Sequence, residues 1–106
     1  MSRIDKVNFL VRAIAGTALT GFLPVKKDAG GSIVVSGTAD AWGVVCLPGT
    51  IAAGRPVGVL LQGEVVEFGG SAATAYYATA GGSIEDTAGG TKIGETIEGD
   101  RLIVNM

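Results

Sequence analysis

The chain has 106 residues, a formal net charge of −2, no histidine, a single cysteine and 47% apolar residues before its 18 glycines are counted. This length suits one domain with a modest core, and the missing histidine excludes a hydrolase of the Ser-His-Asp type. No apolar run reaches the ~18 residues of a membrane-spanning helix, and Cys46 alone provides neither a disulfide nor a soft metal site, so we expect no membrane partner, no cofactor and no metal.

The charge is unevenly distributed along the chain. Residues 1–27 carry five bases and one acid, whereas residues 28–106 carry three bases and nine acids. A basic leading segment on an acidic body predicts contact between that segment and an acidic neighbour, although five solvated charges are the simpler alternative. Nucleic-acid binding is not expected, because the bases are not interleaved with aromatic residues.

The first 27 residues have mixed periodicity. The apolar residues between Ile4 and Ile14 recur at helical spacing, while the β-branched content favours an extended chain. We therefore predict an N-terminal arm over residues 1–27 that is extended or briefly helical up to Gly16, followed by a β-rich body over residues 28–106.

After Pro24, short β-rich runs alternate with glycine-bearing turns such as AGG and FGGS. This spacing is typical of an all-β protein, here a small barrel or sandwich of short strands with the extended arm attached. A tight hairpin is predicted with Gln62 and Gly63 at its corner, where Gly63 would adopt a left-handed conformation. The expected strands are residues 32–36, 42–47, 55–62, 64–68, 75–80, 92–97 and 101–105.

Carboxylates are concentrated near the end of the chain, at Glu85, Asp86, Glu95, Glu98 and Asp100. A glycosidase with paired carboxylates would also need a cleft and sugar-stacking aromatic side chains, and the six aromatic residues are widely spread. We expect solvated loop residues and no enzyme. A weak calcium site at Glu98 to Asp100 is the alternative.

Tyr76 and Tyr77 stand side by side between glycine turns. Adjacent residues of a strand face opposite ways, so one tyrosine is expected to pack inward and the other outward. An outward tyrosine could anchor an oligomer or a ligand, or pair across strands. A small β-barrel module that recognises a saccharide or a peptide through this region is therefore the alternative function.

The stretch GVVCLPGTIAAGRPVGVLLQGEVVEFGGSAATAYYATAGG and the closing GDRLIV resemble the small phage capsid decoration proteins, also called capsid cement proteins. In that family an apolar strand is followed by IAAG, a valine-rich strand, a glycine and another valine-rich strand. The resemblance covers residues 42–104. It implies a non-enzymatic structural protein of the virion, assembled in the host cytoplasm, that lies on the outer capsid surface and bridges major capsid subunits, commonly as a homotrimer.

The resemblance does not extend to the arm, so the residues that would meet the major capsid protein are inferred from charge and apolarity. Basic side chains could pair with an acidic surface, and apolar side chains could be buried against it. The expected contact residues are Arg3, Lys6, Phe9, Leu10 and Arg12, with Phe22 as an apolar anchor.

Overall fold

The computed structural model describes residues 2–106, and these residues form nine β-strands and no helix. The strands are β1 (Arg3–Ile14), β2 (Leu19–Lys27), β3 (Ile33–Val35), β4 (Gly43–Ile51), β5 (Pro56–Val66), β6 (Ala75–Ala78), β7 (Ile84–Glu85), β8 (Lys92–Thr96) and β9 (Arg101–Asn105). The predicted all-β class is confirmed. Across this described range no helix is long and apolar enough to cross a membrane.

β5 is the strand on which the sheet is built. β1 pairs antiparallel with β5 along its whole length, from Pro56 to Val66. On the other edge of β5, β4 pairs at Leu60 and β9 pairs with residues 62–66. β5 therefore joins two groups of strands, one in the order β3-β2-β4 and the other in the order β9-β8-β6-β7.

The predicted hairpin at Gln62 and Gly63 is wrong, because residues 56–66 form one uninterrupted strand. Gly63 lies inside the sheet, opposite Val7 of β1 and Val104 of β9. A Cβ at this position would overlap the main-chain carbonyl of Lys6. Glycine is thus required for close approach of two backbones and not for a left-handed turn.

The ladder between β1 and β5 is irregular. Its register shifts three times between Ile4 and Leu10, and Asp5 and Asn8 have no partner in β5. Such β-bulges bend a strand and increase its twist. β5 consequently curves and continues as one strand through the place where the sequence predicted a turn. It contributes residues to two different cores.

The first group of strands curls around one of these cores. Ala15, directly after β1, forms a parallel bridge with Ile33 of β3, and the amide of Gly16 donates to the Ile33 carbonyl at 2.7 Å. This contact brings the two ends of the series β1-β5-β4-β2-β3 together. The core inside it consists of Ala15, Leu19, Val25, Ile33, Val45, Val57 and Val59, each at most 5% exposed.

The second group of strands covers another core. Its members come from β4, β5, β6, β8 and β9, so β4 and β5 contribute to both cores. The buried residues are Val44, Leu60, Val65, Tyr76, Ala78, Ile93, Leu102 and Val104. Adjacent residues supply opposite cores at two places, Val44 with Val45 and Val59 with Leu60, as expected where a strand lies between two apolar layers.

Most of the described part of the predicted arm is extended, as β1 and β2, with residues 15–18 connecting the two strands. β2 lies between β3 and β4, and its Leu19, Pro24 and Val25 side chains are fully buried. Residues 3–14 and 19–27 therefore pair with strands of the predicted body and belong to the same sheet.

Replacing Gly63 tests the close approach of β1 to β5. We expect Gly63→Ala to lower the free energy of unfolding by about 1–3 kcal/mol, because the new methyl group must push the Lys6 carbonyl away. Gly49→Ala in β4 is the control, since nothing lies within 4 Å of its Cβ position. Urea unfolding of both variants measures the difference, and equal losses would contradict the crowding.

Candidate functional site

β1 exposes most of the large apolar side chains found at the surface. Among residues 2–106, the exposed large apolar side chains are Val7, Phe9, Leu10 and Ile14 of β1, together with Ile97. Val7 and Phe9 are each 51% exposed. Single apolar residues scattered over a surface are ordinary, but four on one strand concentrate apolar area that a partner could cover.

β1 also has an open edge. It pairs with β5 on one side, and no described strand pairs with residues 3–14 on the other. At the ends of the sheet path, β3 and β7 have only three and two residues. Short edge strands are protected against association with other chains, whereas an open edge twelve residues long presents a row of free amide and carbonyl groups.

Two cations on β1 are available to a partner. Lys6 and Arg12 are exposed, and neither forms an ion pair with another described residue. Arg3 differs, because its Nε donates to Glu67 Oε2 at 2.7 Å and its Nη1 lies 3.5 Å from Asp5 Oδ1. We call the exposed part of β1 the β1 surface; its residues are Lys6, Val7, Phe9, Leu10, Arg12 and Ile14.

The structure brings five of the six predicted contact residues onto one strand, since Arg3, Lys6, Phe9, Leu10 and Arg12 all belong to β1. Leu10 also lies over Gly58 of β5, with its Cδ2 3.3 Å from the position that a Cβ would take there. This contact fixes the middle of the β1 surface against the sheet.

Phe22, the sixth predicted contact residue, lies apart from the others on β2. It is half-buried and packs against the second core. Its ring meets Phe68 edge to face, with the centroids 5.8 Å apart. The structure therefore gives Phe22 a packing role and does not bring it to the β1 surface.

Sequence reasoning omitted Val7 and Ile14. Both belong to the apolar series at helical spacing, a pattern that suggests a buried face. In the structure they lie on an edge strand interrupted by bulges, and they are 51% and 46% exposed. Their apolar character alone could not show that they are exposed. Their exposure depends on β1 being an edge strand, which is decided by its pairing with residues 56–66 far along the chain.

Tyr76 is part of the second core. Its side chain is 6% exposed, its hydroxyl accepts a hydrogen bond from the Ser71 amide at 2.8 Å, and its ring meets Phe68 edge to face at 4.7 Å. Tyr77 is half-buried in the same strand. A hollow of about 420 Å³ lies beside Tyr76 and is bordered by Glu85 and Asp86. Tyr76 thus packs inward, which leaves Tyr77 as the more accessible ring.

Two of the five carboxylates near the end of the chain, Glu95 and Glu98, pair with neighbouring cations. Arg101 bonds Glu98 at 2.9 Å and Glu64 at 3.3 Å, and Lys92 bonds Glu95. The hydrogen bond from Arg101 lowers the pKa of Glu98. No group of three or more side chains suited to a metal ion occurs in the described part of the chain.

Cys46 is half-buried, and its Sγ donates to the Ser2 carbonyl at 3.1 Å. Burial raises the pKa of this thiol, so the reactive thiolate form is disfavoured. Cys46 is therefore a packing residue of β4 that contacts the chain at the start of β1.

No protein-family model and no curated protein matches this chain. Exposure, charge and packing are therefore the criteria by which we select candidate functional residues. By these criteria the β1 surface differs most from an ordinary solvated surface.

Removing the Tyr76 hydroxyl tests its buried role. We expect Tyr76→Phe to lower the free energy of unfolding by about 1 kcal/mol, because the Ser71 amide loses its acceptor. Tyr77→Phe is the matched control, since its hydroxyl makes no hydrogen bond to another described residue. Denaturant unfolding of the two variants measures the difference, and an equal response would argue against the hydrogen bond.

Removing the Arg3 guanidinium tests the pairing at the start of β1. The hydrogen bond from Arg3 lowers the pKa of Glu67, so Arg3→Gln should raise that pKa toward its ordinary value. NMR titration of the carboxyl groups measures this change. Glu98, which is held by Arg101, is the internal control and should keep its pKa.

The sign of the associated pH dependence follows from the lowered pKa. Stabilisation by the Arg3–Glu67 pair is present above the unfolded-state pKa of Glu67 and is lost as the pH falls through the folded-state pKa. The difference in unfolding free energy between the native protein and Arg3→Gln should therefore shrink on acidification. A Glu67 pKa that stays the same in the variant would contradict the pair.

Proposed function

We propose that this chain is a non-enzymatic phage head decoration protein that binds the outer surface of the assembled capsid and bridges major capsid subunits. The β1 surface is the observation that carries the proposal. It combines an open strand edge of twelve residues with four exposed apolar side chains and two cations without an ion-pair partner among the described residues. The resemblance of residues 42–104 to the decoration family supports the same function.

The dimensions of the β1 surface suit a contact with a large assembly. Twelve residues of strand extend over about 40 Å, which matches the longest dimension of the molecule, 36 Å. A standard interface takes ~800 Å² from each partner, and the whole accessible surface of this chain is 5349 Å². A contact of standard size along β1 would therefore use a modest part of the surface.

A decoration protein acts by binding one state of its partner. Because it binds the assembled lattice and not the separate subunits, it stabilises the assembled shell by mass action. The resemblance to the decoration family favours a homotrimer. In a trimer three β1 surfaces would act together, and the complex would dissociate much more slowly than a single contact.

The alternative function, a β-barrel module that recognises a saccharide or a peptide through Tyr76 and Tyr77, has less support. Tyr76 is committed to the core by burial and by its hydrogen bond to Ser71. Only Tyr77 remains partly accessible. A stacking platform for a sugar generally needs an exposed aromatic face, which this arrangement offers poorly.

Co-sedimentation with undecorated phage heads tests the proposal, with unassembled capsid protein as the reference. We expect saturable binding to heads and none to the unassembled subunits. Binding to neither would overturn the decoration function and favour a screen of glycans and peptides. Deleting β1 would be a poor test, since β1 covers one whole edge of β5 and the deletion would disturb the fold.

Charge reversal on β1 locates the contact without removing the strand. We expect Lys6→Glu combined with Arg12→Glu to weaken head binding by about tenfold or more, because both cations would then repel an acidic surface. Lys27→Glu combined with Arg55→Glu gives the same change in net charge at two exposed sites outside β1, and it should bind heads almost normally. Circular dichroism would verify that both double variants are folded. Equal binding by the two variants would reject the role of β1.

A further inference from the structure

We propose that the open edge of β1 receives an extended acidic segment of the major capsid protein as an added β-strand. Recognition would then use backbone hydrogen bonds in addition to the side chains of the β1 surface. This inference rests on the proposed function, because it names the part of the capsid lattice that occupies β1.

The first support is the state of the β1 backbone. In an antiparallel ladder, alternate residues direct their amide and carbonyl groups toward opposite edges, so about half of the β1 residues point away from β5. No described strand pairs with that outer edge between Arg3 and Ile14. The opening ends at Ala15, which bridges Ile33 of β3. An incoming strand therefore finds a defined length of unpaired backbone.

The second support is the charge of the edge, which disfavours a second copy of this chain as its occupant. β1 carries two exposed cations, Lys6 and Arg12, that form no ion pair with another described residue, so two β1 edges repel each other. In an antiparallel pair centred on Phe9, Lys6 of each copy would also lie opposite Arg12 of the other, and like charges in that position are destabilising. The unpartnered bulge residues Asp5 and Asn8 add irregularity that protects an edge from self-pairing.

The third support is the charge pattern that a partner strand would need. Lys6 and Arg12 are six residues apart, and Phe9 and Leu10 lie between them, 51% and 45% exposed. A strand of about seven residues, roughly 20 Å long, would span the two cations. Acidic side chains at its ends and apolar side chains at its middle would complement β1. An acidic segment with an apolar middle would therefore fit β1 better than a neutral or basic strand.

Hydrogen–deuterium exchange measured by mass spectrometry tests the added strand. The protein is compared free and bound to undecorated heads. In the free protein, about half of the β1 amides should exchange quickly, because β5 protects only the others. On heads, these fast amides should exchange at least about a hundredfold more slowly, since each outward amide gains a backbone acceptor. Residues 62–66 of β5 are the internal control, because β1 and β9 pair with them on both edges and their exchange should not change.

The outcomes separate this inference from the proposed function. Saturable binding to heads with unchanged exchange in residues 3–14 would overturn strand addition and leave the decoration function standing. A lack of binding to heads would overturn the decoration function itself. The neutral variant Lys6→Gln with Arg12→Gln provides a second measurement: we expect about tenfold weaker binding, and the same protected amides once the heads are saturated. Protection lost at saturation would show that side-chain contacts alone hold β1, and would also overturn strand addition.

Discussion

The fold depends on the two edges of β5. One edge is taken entirely by β1, and the other is divided between β4 near Leu60 and β9 over residues 62–66. Because the two groups of strands leave β5 at different points, the sheet covers two cores instead of one. Gly63 allows the arrangement, since any side chain at that position would hold the Lys6 carbonyl away. The bulges between β1 and β5 supply the curvature that such a strand needs.

The β1 surface follows from the same constraint. With β5 covered on both edges, β1 is the outermost strand on its side and keeps one edge free. Its apolar side chains stay exposed because neither core extends over them. A partner strand would add to a backbone already fixed by β5, so little conformational entropy would be lost on this side of the contact. A long edge that β5 already holds on one side is consequently compatible with the proposed contact with the capsid lattice.

The ion pairs engage the bases near the end of the chain and leave most of the earlier bases without a carboxylate partner among the described residues. Lys92 and Arg101, the last two bases, are both bonded to acids close to them. Of the bases in the described range, those without an ion pair lie within the first 55 residues: Lys6, Lys26 and Lys27, Arg12 and Arg55. Lys26 is half-buried and Lys27 lies over the Trp42 ring, whereas the exposed Lys6, Arg12 and Arg55 can attract an acidic neighbour at low ionic strength. The polarity seen in the composition is thus retained at the surface of the folded molecule.

Local patterns in the sequence determined the all-β class and several strands. Short β-rich runs between turn residues predicted β3, β6, β8 and β9 to within two residues, because these strands begin and end at turns that the nearby residues specify. Charge and apolarity, in contrast, indicated Arg3, Lys6, Phe9, Leu10 and Arg12 as contact residues of one segment. Only the tertiary structure decided that this segment is an open edge strand, that Val7 and Ile14 are exposed with it, and that Phe22 is not. Gly63 shows the physical reason: a glycine can serve a turn or the close approach of another strand, and which one applies depends on residues far away in the chain.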